Sequence, residues 1–192
     1  MIPEVLSFFS RWLTANDLTA LRILLAPVIF VAVLNYQDQP DYLFGIWFLY
    51  VFACLTDYWD GVLARFQNKT TKLGILLDPI ADKILIMSLL ILLVGLFRAP
   101  SYLVAVLITR EFAVTGLRGV AALEGRVISA SAGGKYKTLS QMIAVGFLII
   151  HFPTLGIPCH EVGIVLLWLV TGISIWSGFH YFLAYYRILS DS

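Results

Sequence analysis

Charge is scarce in this sequence. Its 192 residues hold 13 Lys and Arg against 12 Asp and Glu, a net charge of +1. Without a basic excess there is no electrostatic footprint for nucleic acid. Cysteine is nearly absent: Cys54 lies in an apolar run and Cys159 in a short polar break, which excludes a disulfide framework and leaves each as a packed thiol. The three histidines, His151, His160 and His180, show no spacing that suggests a metal site, and each is expected at a membrane interface. Internal repeats, low-complexity runs and linkers are missing, so one compact domain over residues 1–192 is expected. Broken apolar segments in matched halves, the mark of many transporters, are missing too. Glu4 stands among the first residues with no basic start before the apolar run, so no cleavable signal peptide is expected.

What the sequence has in abundance is apolar surface, at 60% hydrophobic residues and a mean hydropathy of +0.88. Six apolar segments recur, at about 19–36, 43–65, 75–97, 101–123, 136–152 and 161–186. Most approach the ~20 residues a helix needs to cross the hydrocarbon core. The fold expected is therefore all-α: a polytopic membrane protein with six transmembrane helices spread over about 19–186. Ahead of them, Ile2, Val5, Leu6, Phe9, Trp12 and Leu13 alternate with Glu4, Ser7, Ser10 and Arg11 at helical spacing. That predicts an amphipathic helix over 1–15 lying in the interface. Trp47, Trp168, Trp176, Tyr185 and Tyr186 are expected to face lipid or to pack.

Basic residues set the orientation. With the N-terminus inside, Arg11, Arg22, Arg65, Lys69, Lys72, Lys83, Arg110, Arg118, Arg126, Lys135, Lys137 and Arg187 fall on the inner halves. Arg98 alone falls outside. Both termini are expected in the cytoplasm.

Against this background the stretch "DYWDGVLARFQNKTTKLGILLDPIAD" stands out. Asp57 and Asp60 are three residues apart near the inner end of the second segment; Asp78 and Asp82 are four apart at the inner start of the third. Each pair shares a helix face, and two antiparallel neighbours would bring four carboxylates together. One aspartate at a helix end is ordinarily a cap. Four, converging inside an apolar protein, would be strongly unfavourable unless a cation neutralised them. Hard oxygen ligands without His or Cys suit Mg²⁺ or Mn²⁺ and not zinc, and four carboxylates suffice for two ions that share ligands. Gly61, Ala64 and Gly74 leave room beside them. Arg65 is suited to clamp a phosphate. Pro79 is expected in the first turn of the third span.

Together these residues spell D-x₂-D-G-x₂-A-R-x₈-G-x₃-D-x₃-D, which resembles the signature of the CDP-alcohol phosphatidyltransferase family. "NDLTALR" at 16–22, "LLDPIADK" at 76–83, "TREFAVTGLR" at 109–118 and "GKYKT" at 134–138 resemble elements of its phosphatidylglycerophosphate synthase branch. The resemblance implies a six-helix membrane enzyme, a homodimer with a polar cavity open to the cytoplasm, in a bacterial inner membrane. It implies transfer of a phosphatidyl group from CDP-diacylglycerol to an alcohol, with release of CMP. It implies Asp57, Asp60, Asp78 and Asp82 as metal ligands and Asp82 as the base. Asp60, Gly61, Ala64, Arg65, Thr71 and Gly74 are implied to bind the CDP-lipid, and glycerol 3-phosphate is the implied acceptor.

An acceptor with its own phosphate needs basic groups near the metal site. Arg110, Arg118, Lys135 and Lys137 can supply them, whereas Arg126 reads as positive-inside anchoring. Arg110 lies within a span and needs a partner, for which Asp82 and Glu111 are the candidates. Serine, inositol phosphate or another polyol phosphate remain alternative acceptors, and the basic residues disfavour serine. A divalent cation transporter is the alternative from another class. It would continue acids toward the outer side, where segments four to six offer few.

Overall fold

A computed structural model of the chain describes the backbone of residues 15–67, 72–123 and 132–190, and the side chains of residues 20–56, 83–121 and 137–183 together with Tyr186. The described backbone forms six helices: α1 Ala15–Asn35, α2 Pro40–Gln67, α3 Lys72–Gly95, α4 Ser101–Leu123, α5 Ala132–Ile150 and α6 Cys159–Ser190. Its one extended feature is an isolated bridge between Thr154 and Ile157. The architecture is all-α, as expected. The interfacial helix expected over 1–15 falls almost entirely outside the described residues.

Helix bounds follow the apolar segments closely, and α4 coincides with 101–123. The other helices begin two to four residues earlier, because backbone hydrogen bonding continues through polar side chains that hydropathy leaves out. One expectation is corrected. Because α3 starts at Lys72, Pro79 is its eighth residue and not part of the first turn. The helix continues through it without the bond a Pro79 N–H would give the Ile75 carbonyl. Among the described residues, α6 over Cys159–Leu183 is long and apolar enough to cross a bilayer by itself, at a mean hydropathy of 1.9. Shorter apolar stretches, Ala20–Asn35, Pro40–Thr56, Lys83–Gly95 and Lys137–Ile150, occupy α1, α2, α3 and α5.

The chain divides into two compact units, Met1–Leu92 and Leu93–Ser192. In the first, α1 packs on α2. Ala26, Ile29 and Val33 on α1 and Leu43, Ile46, Tyr50 and Ala53 on α2 are buried at three- and four-residue spacing, which makes each set one stripe. The four residues between the helices form a tight turn with Gln39 N–H donating to the Tyr36 carbonyl. Pro40 then opens α2, where its missing N–H costs nothing, and Asp41 complements the helix dipole. Arg22 continues the α1 stripe and is fully buried.

In the second unit, α6 packs on both α4 and α5. The α5–α6 contact is close at Gly163, where a Cβ would stand 2.8 Å from the Leu148 side chain. Only glycine permits that approach. Two helix ends are fixed by left-handed residues other than glycine. Phe97 (φ 56) closes α3, with Arg98 N–H donating to Leu93 O and Phe97 N–H to Val94 O, the Schellman pattern. His151 (φ 60) closes α5, its N–H donating to Phe147 O. Leu155 (φ 53) and Gly156 (φ 78) make the two-residue turn inside the bridge that follows. Arg98, the one basic residue expected outside, is buried, and its Nη1 donates to the Ile149 carbonyl at 3.0 Å. A cation here satisfies a terminal carbonyl of α5 and complements its dipole. Trp168, Trp176 and Tyr186 are exposed, as expected for lipid-facing aromatics, and Trp47 is half-buried. Cys159 is buried, and neither cysteine is in a disulfide.

Candidate active site

The four aspartates lie on two consecutive helices. Asp57 and Asp60 fall in the C-terminal half of α2, and Asp78 and Asp82 in the N-terminal half of α3. Their side chains are outside the described residues, as are those of Ala64, Arg65 and Lys135; Gly61 and Gly74 are described by their backbone alone, and Thr71 falls in the connection 68–71, also outside. The donor set itself is a fit for a hard divalent cation: four carboxylates, no sulfur, no imidazole. No competing group of three or more His, Cys, Asp or Glu side chains occurs among the described residues.

The basic residues are better defined, and they are not solitary. Arg110 and Glu111 sit in the middle of α4, where Leu107, Val114 and Ala121 are buried along the helix. Arg110 spreads its guanidinium across three partners. Its Nε donates to the Ser174 carbonyl at 3.0 Å, its Nη2 to Ser177 Oγ at 2.8 Å and its Nη1 to Glu111 Oε1 at 2.6 Å. The same Glu111 oxygen accepts from Lys137 Nζ, reached from α5. One carboxylate thus ties together two cations from two helices. The Arg110, Glu111 and Lys137 side chains are only 12%, 18% and 3% exposed. At that burial an ion pair is held only because every charge has a partner. Of the two partners expected for Arg110, the structure provides Glu111.

Two turns along α4, Arg118 meets Tyr181 on α6. Arg118 Nη2 donates to the Tyr181 hydroxyl at 2.6 Å, and its Cζ lies 4.8 Å from the centroid of the tyrosine ring. Hydrogen bond and cation–π contact act on the same guanidinium. Ser174, Ser177, Gly178 and Tyr181 follow the three- and four-residue spacing of one helix face, so α6 turns a polar stripe toward the two arginines. At Gly178 a Cβ would stand 3.2 Å from Arg110 Cγ, so the small residue lets the arginine lie against the helix.

Sequence reasoning missed this stripe. The signal was available: hydroxyl and glycine residues recurring on one face of an otherwise apolar helix. It also missed the pairing of His151 with His160, whose Nδ1 atoms are 3.1 Å apart across the α5–α6 connection.

The profile of the CDP-alcohol phosphatidyltransferase family matches residues 12–176. The chain is similar to a protein of Bacillus subtilis (strain 168) named CDP-diacylglycerol--glycerol-3-phosphate 3-phosphatidyltransferase, 37% identical over 92% of this chain and 97% of the relative. A probable phosphatidylglycerophosphate synthase of Mycobacterium tuberculosis is 39% identical over 83% of this chain and 78% of its own length. A Rickettsia felis protein with the same name as the Bacillus one is 36% identical, covering 88% and 93%.

Proposed function

The chain belongs to the CDP-alcohol phosphatidyltransferase family, and on that premise we propose that it transfers the phosphatidyl group of CDP-diacylglycerol to glycerol 3-phosphate, giving phosphatidylglycerophosphate and CMP. The names of the relatives support this choice of acceptor. The structural observation that carries it is the concentration of Arg110, Lys137 and Arg118 on neighbouring helices of one apolar unit.

Asp57, Asp60, Asp78 and Asp82 would hold two divalent ions, Mg²⁺ or Mn²⁺, in keeping with the divalent-metal chemistry of the family. When bound, these ions supply charge neutralisation to the diphosphate and to the departing CMP. Asp60, Gly61, Ala64, Arg65, Thr71 and Gly74 bind the CDP-lipid, with Arg65 as the fixed cation beside its phosphates. The cluster of Arg110, Arg118, Lys135 and Lys137 receives the acceptor's phosphate. Asp82 takes the proton of the acceptor's C1 hydroxyl, that oxygen bonds to the β-phosphorus, and the bond from phosphorus to CMP breaks. A direct displacement of this kind requires no nucleophile from the protein.

The chain would act as one membrane domain over 1–192, a six-span homodimer in a bacterial inner membrane, with both termini and the site on the cytoplasmic side. The test is CMP release by purified protein supplied with CDP-diacylglycerol and, in turn, glycerol 3-phosphate, serine, inositol phosphate and other polyol phosphates. Glycerol 3-phosphate alone is expected to support turnover at low concentration. Equal or better turnover with another acceptor rejects the assignment.

A further inference from the structure

We infer that His151 and His160 form a two-imidazole site for a divalent transition metal of the Zn²⁺ or Cu²⁺ type, at the connection between α5 and α6. The site is separate from the aspartate motif and does not rest on the proposed function.

The geometry of the two rings carries this. Their Nδ1 atoms are 3.1 Å apart. Imidazole nitrogen binds Zn²⁺ at about 2.0–2.1 Å, so one ion bonded to both nitrogens would see them about 100° apart. That angle lies between cis octahedral and tetrahedral coordination. The ring centroids are 4.6 Å apart, with the planes 77° from parallel. The rings therefore splay behind nitrogens that approach each other. A straight N–H···N bond would put the centroids about 5.4 Å apart, so the bond between these rings is bent. Two rings sharing one ion at about 2.1 Å would put them about 4.8 Å apart. The observed spacing is closer to the second arrangement.

The backbone sets both ligands in place beforehand. His151 follows α5 with φ 60, and Phe152 N–H donates to the Ile150 carbonyl. Leu155 and Gly156 turn the chain inside the Thr154–Ile157 bridge, and His160 lies in the first turn of α6. The His151 ring also meets Phe152 edge-on, with centroids 5.5 Å apart. Both imidazoles are half-buried, so an ion can reach them while the rings stay held. Ligands fixed in advance lose little freedom on binding.

The proton count is simple. In the neutral pair one Nδ1 carries a hydrogen and the other accepts it. With an ion bound, each ring carries its hydrogen on Nε2, both Nδ1 lone pairs bond to the metal, and no net proton is released. Water fills the remaining positions. The charge of Arg98 opposes a cation here and that of Glu161 favours it, so affinity comes from the two nitrogens. Imidazole suits Zn²⁺ and Cu²⁺ and is a poor ligand for Mg²⁺. The bound ion would staple the end of α5 to the start of α6.

The experiment titrates Zn²⁺ into full-length purified protein that carries no histidine tag, with Mg²⁺ in excess to occupy carboxylates. The wild type is expected to bind one Zn²⁺ per chain. Its thermal midpoint should rise by about 5–10 °C at free Zn²⁺ a hundredfold above Kd. His151→Asn, whose side chain tolerates left-handed backbone, and His160→Gln should each weaken binding by about tenfold or more and lose the rise. His180→Gln should change neither. Cu²⁺ in place of Zn²⁺ gives a reading on the wild type alone, an electron paramagnetic resonance signal split by two nitrogens, which decides the matter if a variant fails to fold. No Zn²⁺ binding by the wild type overturns the inference. So does undiminished binding in either His151→Asn or His160→Gln, or a Cu²⁺ signal without two-nitrogen coupling. None of these readings uses CMP release, so the inference and the proposed function fail separately.

Discussion

Removing the Glu111 carboxylate is the sharpest perturbation of the polar cluster. In Glu111→Ala, Arg110 and Lys137 lose the oxygen they share, while remaining 12% and 3% exposed. A charge pair at 2.6 Å has a gross attraction of about 6 kcal/mol at an effective dielectric of 20, before desolvation is subtracted. Breaking a buried pair on one side leaves its partner uncompensated and costs about 3–5 kcal/mol. The lower figure suits this site, because Arg110 keeps its bonds to Ser174 and Ser177. About 3 kcal/mol corresponds to a fall in Tm of roughly 6–12 °C for a chain of this size. Thermal unfolding in detergent would read it directly. The double variant Glu111→Ala/Lys137→Met removes one of the stranded charges and is expected to recover part of the loss, giving a coupling of about 1–2 kcal/mol in the cycle. A single variant that melts within about 2 °C of wild type would refute the reasoning, because the carboxylate would then not be holding the two cations.

Two further outcomes test the second unit. Gly163→Ala puts a Cβ 2.8 Å from Leu148 and should destabilise the α5–α6 pair by about 1–3 kcal/mol. Adding Leu148→Ala should relieve the clash in part, and a thermal midpoint unmoved by Gly163→Ala would contradict the packing described. The His151 imidazole, in the connection beyond α5, is held below its ordinary pKa by burial first and then by Arg98 and His160, with Glu161 opposing. Between the lowered folded value and the ordinary one of about 6.5, the unfolded chain binds the extra proton. Stability from this source is therefore complete above the ordinary value and is lost as pH falls through the folded one. Thermal midpoints should drop as pH falls below the ordinary value of about 6.5, and less so in His151→Asn; equal drops would refute the assignment.

Much of this architecture was legible from hydropathy alone, because long apolar segments in a chain poor in charge have few structures open to them. The apolar segment at about 101–123 became α4, Ser101–Leu123. Helix ends were harder to read where the terminating residue gives no glycine or asparagine signal. Phe97 and His151, which close α3 and α5, both adopt left-handed backbone conformations. The motif aspartates announced themselves because acids are sparse around them. Arg110, set inside an apolar segment, announced its need for a partner, and Glu111 was among those named. Ser174, Ser177 and Tyr181 went unread for the reverse reason. A serine or tyrosine in an apolar helix is unremarkable until a neighbouring helix is known to place a guanidinium against it. His151 and His160 are nine residues apart, and only the two-residue turn at Leu155 and Gly156 makes them neighbours.

The account stands on acid-dependent, metal-dependent transfer at the α2 and α3 aspartates. Its most direct test is CMP release from CDP-diacylglycerol and glycerol 3-phosphate by wild type and Asp82→Asn, each with chelator and then with Mg²⁺ or Mn²⁺ restored. The account predicts turnover in the wild type that chelation stops and added metal restores, and none in Asp82→Asn under any condition. Turnover by Asp82→Asn near the wild-type rate, or wild-type turnover indifferent to chelation, would contradict it.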